Sequence, residues 1–138
     1  MRRKTKAYVL DTSALFAYIE DEAGAETVEQ LLVKAEKGNA EIHLCFVSLT
    51  EVFYITLQEK NELEAKRRID LIRSLAATIH ESEALNMLAG RLKGTYHISL
   101  ADAYVAALCQ HLDCALVHKD PEFETISAIK QVVLPRKP

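Results

Sequence analysis

Short apolar runs alternate along the chain with longer segments whose apolar residues recur every three or four positions. This switching between two periods constrains the fold more than any other feature. Residues 8–10, 41–47, 78–80, 115–118 and 131–134 are too short for helices and read as strands. Residues 14–20, 25–37, 49–60, 62–75, 82–93 and 99–112 read as helices, and 121–126 as a helical turn. In the second helix Val28, Leu31, Leu32 and Ala35 share a face, and Gly38 stops it. In the fourth the expected inner stripe is Leu63, Ile69, Ile72 and Leu75, and Gly94 is expected to end the fifth. Strands alternating with helices mean βαβ units, hence a three-layer α/β/α arrangement around a mainly parallel five-stranded sheet. At 138 residues the chain is expected to form one domain spanning 1–138.

In such a sheet chemistry is sought beyond the carboxyl ends of the strands, and there the residues are acidic. Asp11 ends the first strand, Glu51 lies in the first turn of the helix after the second, and Asp120 follows the fourth. Asp102 opens the helix that leads into the fourth strand and joins the others if that helix begins at the same edge. Two like charges 4 Å apart repel by ~4 kcal/mol at an effective dielectric near 20, so four gathered carboxylates call for a counter-charge. Hard oxygen donors suit Mg²⁺ or Mn²⁺. No histidine pair has zinc-like spacing, and neither do the three cysteines.

Each acid also has a local structural reading. Ser48-Leu-Thr-Glu51 is a capping-box pattern, Ser99-Leu-Ala-Asp102 a poorer version, and Asp120-Pro-Glu an N-cap with proline at the first helical position. Asp11, directly after a buried strand, must cap, pair or ligate. Capping and ligation are compatible.

The segments VLDTSAL at 9–15, FVSLTEV at 46–52, ISLADAYVAAL at 98–108 and ALVHKDPEF at 115–123 resemble, in order and spacing, the PIN-domain ribonucleases, and among them the VapC-type toxins of toxin–antitoxin pairs. The resemblance implies that Asp11, Glu51, Asp102 and Asp120 hold one or two Mg²⁺ or Mn²⁺ ions, that the chain cleaves RNA, that it forms a homodimer, and that a small antitoxin silences it. An arginine from such a partner, placed among Asp11, Asp102 and Asp120, would neutralise the site. The chain departs from the family at His118, where Thr or Ser is common two residues before the last Asp. His118 could donate to the metal site, contact phosphate, or be a partly exposed strand-end residue. Ser13 could orient a carboxylate or a metal water, or cap the helix. The mechanism expected is metal-assisted hydrolysis, with Asp11 and Asp102 as direct ligands and Glu51 or Asp120 as a further ligand or base.

A net charge of −3, from 17 basic and 20 acidic residues, argues against binding nucleic acid through bulk charge. Candidate local phosphate contacts are Arg2, Arg3, Lys4 and Lys6, the run Lys66-Arg67-Arg68, Arg91, Lys93, and best placed of all Lys119; each also fits a solvated face. Cys45, Cys109 and Cys114 sit in or beside apolar runs and read as buried free thiols, which suits a cytoplasmic protein. Only four apolar residues precede Asp11 in the first segment, too few for a signal peptide, and no stretch is long enough to span a membrane. Phe53, Tyr54, Ile55 and Leu57 form a run fit for the core or for another chain. Two other functions compete with the nuclease. One is a catalytically silent binding module on the same fold. The other is a phosphatase using Asp11 as nucleophile, although such enzymes place a second Asp two residues on, where this chain has Ser13.

Overall fold

The computed structural model describes residues 5–136. Five strands, β1 (Lys6–Leu10), β2 (Ala40–Cys45), β3 (Thr78–His80), β4 (Ala115–His118) and β5 (Gln131–Val133), form one sheet in the order β3-β2-β1-β4-β5. All four pairings are parallel, with Leu10 opposite Val117 and His43 opposite Thr78. Helices α1 (Thr12–Ile19), α2 (Ala25–Glu36), α3 (Phe46–Glu59), α4 (Glu62–Ser74), α5 (Glu83–Thr95) and α6 (Leu100–Leu112) make the crossovers. A short 3-10 helix, Pro121–Thr125, follows β4.

Successive strand residues point to opposite faces, so adjacent residues of one strand feed two cores. Leu10, Ile42, Leu44 and Val117 pack with Leu15, Val28, Leu32, Val52 and Ile72 of α1 to α4. Val9, Cys45 and Leu116 pack on the other face with Leu85 and Ala89 of α5, with Ala103 to Cys109 of α6, and with Phe123. Each such aliphatic side chain contributes ~1.5–3 kcal/mol on burial, which makes the sheet a rigid platform for what lies at its edge.

Several boundaries differ from the sequence expectation. Strand β2 ends at Cys45 and α3 begins at Phe46, so Ser48 lies inside the helix and Glu51 in its second turn. Phe46 and Val47 extend an apolar run that only the register with β3 brings to an end. Gly94 lies within α5, which continues to Thr95. Of the expected stripe on α4, Ile72 is buried and Ile69 and Leu75 pack against the core, Ala65 and Arg68 join them, and Leu63, in the first turn, is 80% exposed. Arg68 is buried; its guanidinium bonds Glu64 at 3.0 Å, Glu20 at 3.4 Å and Thr56 Oγ1 at 3.3 Å, and lies over the Phe16 ring. It joins α4 to α3 and to the end of α1. Arg67 and then Arg68 hold the Glu64 carboxyl down to about 2. On α3, Tyr54 and Leu57 are exposed rather than in the core. The three cysteines are buried and free, and burial raises all three thiols, Cys45 to about 11. Among the described residues no helix is long and apolar enough to cross a membrane.

Candidate metal centre

The strand order reverses between β1 and β4, and Asp11 and Asp120 leave the sheet at the carboxyl ends of these two strands. The backbone N–H of Asp11 still bonds Val117 O at 3.2 Å. Its side chain then caps α1, accepting from Ala14 N at 2.8 Å. Ser13 Oγ donates to the same carboxylate, lying 2.7 Å from Oδ1 and 2.8 Å from Oδ2, and accepts from Lys119 N at 2.9 Å. One hydroxyl therefore ties the end of β1, through the Asp11 carboxylate, to the loop after β4. Asp11 is only 3% exposed. Burial pushes its carboxyl up to about 7 against these hydrogen bonds, and the charges of Asp120 and Glu51 push the same way. A carboxylate so enclosed is poorly placed to attack a phosphomonoester, which speaks against the phosphatase alternative.

Helix α6 runs back toward β4, so its N-terminus sits at the acidic edge. Ser99 Oγ caps it at Asp102 N, 3.1 Å away, as the poorer capping-box pattern anticipated. Asp120 caps the 3-10 helix, accepting from Glu122 N at 3.0 Å, with Pro121 at the first helical position. These two caps bring carboxylate oxygens of Asp102, Asp120 and Glu122 within 4.8 Å of one another. Burial first, then the proton shared with Glu122 and Asp120, push the Asp102 carboxyl to about 9. Glu122 was not singled out in the sequence, where an acid after Asp-Pro reads as solvated surface. The available signal was the Pro121 turn, which folds Glu122 back beside Asp120.

Glu51 does not close a capping box. Ser48, its expected partner, is wholly buried inside α3, and its Oγ has no hydrogen-bond partner. Glu51 instead accepts from Thr12 Oγ1 at 2.6 Å, which fixes α3 against the start of α1. Asp11 thus feels the charges of both Asp120 and Glu51.

His118 is neither a partly exposed strand end nor placed for phosphate contact. It is wholly buried, its ring edge-on to Phe123 with centroids 5.0 Å apart, and both ring nitrogens are engaged. Lys119, the best-placed phosphate candidate, turns its Nζ to Ala23 O at 2.8 Å, and Lys93 Nζ donates to Ile98 O. Lys66 pairs with Glu62, Arg67 with Glu64, and Arg68 is buried. Arg2, Arg3 and Lys4 lie outside the described residues.

The donor set fits a hard divalent cation. All donors are carboxylates, and three of them, at the starts of α6 and of the 3-10 helix, place their oxygens close together. Asp102, Asp120 and Glu122 are the residues able to hold such an ion.

Among curated proteins none matches the chain by sequence. Similar solved structures include VapBC2 from Rickettsia felis bound to a DNA fragment from its promoter. It has a TM-score of 0.73 and 18% identity, covering 94% of this chain and 99% of that one. VapBC-1 from nontypeable Haemophilus influenzae aligns with a TM-score of 0.72 and 21% identity, covering 92% and 97%. Mycobacterium tuberculosis VapC20, described as a sarcin–ricin loop cleaving toxin, aligns at 0.71 and 16% identity, covering 93% and 99%. At these identities the likeness is one of fold. The family model for the PIN domain matches residues 8–129, a span that holds all five acids at the sheet edge, and the chain belongs to the PIN domain family.

Proposed function

We propose that the chain is a divalent-metal-dependent endoribonuclease and the toxin of a toxin–antitoxin pair. The observation that carries this reading is the Asp102–Asp120–Glu122 group, with its oxygens within 4.8 Å of one another, set beside the buried Asp11 at the reversal of strand order. A bound Mg²⁺ or Mn²⁺ supplies charge neutralisation at the phosphate and an acidified water. Asp102, Asp120 and Glu122 would hold the ion, and Asp11, clamped by Ser13, would add its charge beside Asp120. Thr12 fixes Glu51 through Oε1, which leaves its second oxygen to take the proton of the attacking water. A new P–O bond forms as the bond to the ribose oxygen breaks, and that oxygen takes a proton from bulk water as it leaves. The RNA 2′-hydroxyl takes no part.

An antitoxin partner is supported by the neighbouring VapBC structures. A homodimer is supported by apolar residues left at the surface of α3 and α4, namely Tyr54, Leu57 and Leu63. A mixed RNA pool incubated with Mn²⁺, with EDTA, and with the Asp11→Asn and Asp102→Asn proteins tests the activity. Cleavage that EDTA and both substitutions abolish, giving products without 2′,3′-cyclic phosphate, is the expected result. Cleavage that survives EDTA, or that leaves cyclic phosphate ends, would refute the mechanism. Folded protein that cleaves no RNA under any condition would favour the silent binding module.

A further inference from the structure

The residue that departs from the family pattern is tied into the site through both of its ring nitrogens. The Asp120 backbone N–H donates to His118 Nδ1 at 3.0 Å, so that nitrogen carries no proton. The proton therefore sits on Nε2, which donates to Gln131 Oε1 at 2.8 Å. The orientation of the Gln131 amide follows from its other end. Its Nε2 donates to Phe123 O at 2.6 Å and to Ile126 O at 3.2 Å, and both acceptors are carbonyls. One continuous polar strut thus runs from the N-cap of the 3-10 helix, through a buried imidazole and an amide on β5, to the far end of the same helix. That helix carries Glu122, and its cap is Asp120.

The backbone around the strut is pinned as well. His118 O accepts from Leu134 N, Lys119 N donates to Ser13 Oγ, and Lys119 O accepts from Arg136 Nε. A serine or threonine at position 118 would supply an acceptor for the N–H two residues on, as in an ST turn. It would not reach Gln131. The imidazole does both, and its ring packs on Phe123.

We propose that His118 is a positioning residue that sets Asp120 and Glu122 for the divalent cation through its Nδ1 acceptor, which the bond to Gln131 keeps free of a proton. This rests on the metal-dependent reading above. Side chains that orient metal ligands commonly change metal affinity 10–100-fold when removed.

Three substitutions separate the strut from simple packing. His118→Asn retains an acceptor where Nδ1 stands but cannot reach Gln131. His118→Gln extends toward Gln131 but loses the Nδ1 position, and His118→Leu loses both bonds. The readouts are Mn²⁺ affinity by calorimetry on folded protein and, on ¹⁵N-labelled protein, the imidazole tautomer and the exchange rate of the Asp120 amide. In the wild type we expect the Nε2–H tautomer and a slowly exchanging Asp120 amide. His118→Leu and His118→Gln should weaken Mn²⁺ binding about tenfold or more and free that amide, while His118→Asn should retain affinity to within about threefold. Wild-type affinity in His118→Gln and His118→Leu would overturn the proposal. So would equal losses in His118→Asn and His118→Leu, since packing would then explain the effect. A wild-type protein that binds no Mn²⁺ would overturn the metal-dependent reading and this proposal together. Tight wild-type binding with unchanged variants would remove this proposal alone.

Discussion

Replacing Asp11 by Asn should stabilise the metal-free protein, by an amount that grows with pH. The native state holds the Asp11 carboxyl at about 7, against an ordinary value of 3.8, chiefly because the group is buried. The native state therefore binds this proton more tightly than the unfolded chain does. The stability it contributes is complete below about pH 4, falls as pH rises, and is gone once pH passes about 7. At 1.36 kcal/mol per pH unit the full effect has a ceiling of ~4 kcal/mol. Asparagine carries no such charge and retains the local bonds. Its Oδ1 still caps Ala14 N and accepts from Ser13 Oγ. Its amide N–H can donate to the second lone pair of that hydroxyl, whose first accepts from Lys119 N. Urea unfolding in EDTA, compared between the two proteins from about pH 3 to pH 8, should give a difference near zero at the acid end. The variant should be ahead by up to ~4 kcal/mol at the alkaline end. Mn²⁺ should narrow the gap at the alkaline end, since ligand at about 100 times its Kd adds ~2.7 kcal/mol to the protein that binds it. A difference that stays flat with pH, or a variant less stable at about pH 8, would refute the account of Asp11 as a buried charge awaiting a cation.

The same charges predict that Mn²⁺ binding releases protons. With Asp11 at about 7 and Asp102 at about 9, calorimetry near pH 6.5 in buffers of different ionisation enthalpy should report about one to two protons per ion and an affinity that rises with pH. Binding without proton release would contradict the shifted carboxyls. Arg68→Met should retain the packing of the side-chain stem and lose the bonds to Glu64, Glu20 and Thr56. The cost should be about 1–3 kcal/mol in urea unfolding, with Arg68→Lys a poor substitute because it lacks the guanidinium fork. Unchanged stability would show that Glu20 and Glu64 rehydrate at no cost.

Much of this architecture is legible from period alone. Strands β1, β3, β4 and β5 are bounded by residues that end an apolar run, and the alternation with helices dictates a parallel sheet. Three of the four expected acids lie at that sheet's carboxyl edge by topology. Asp102 joins them because α6 starts there. The misses have physical causes. Phe46 and Val47 favour strand locally, and only the tertiary register turns them into the first turn of α3. Arg68 stands on the inner face with Ala65 and Ile72 at helical spacing. That signal was present, but its position in a run of three cations hid it. His118 becomes a buried strut only when Phe123 and Gln131 arrive from later in the chain, and no local pattern announces that. Glu122 required recognising that proline after an N-cap Asp folds the next acid back onto it.

The most direct test of the central claim is to locate Mn²⁺ by its anomalous scattering in crystals soaked with the ion. The account predicts a peak bounded by the carboxylates of Asp102, Asp120 and Glu122 and close to Asp11, absent when Asp102 is replaced by Asn. A peak only elsewhere, for example beside the paired imidazoles of His43 and His80, or none at the acidic edge at saturating Mn²⁺, would contradict it.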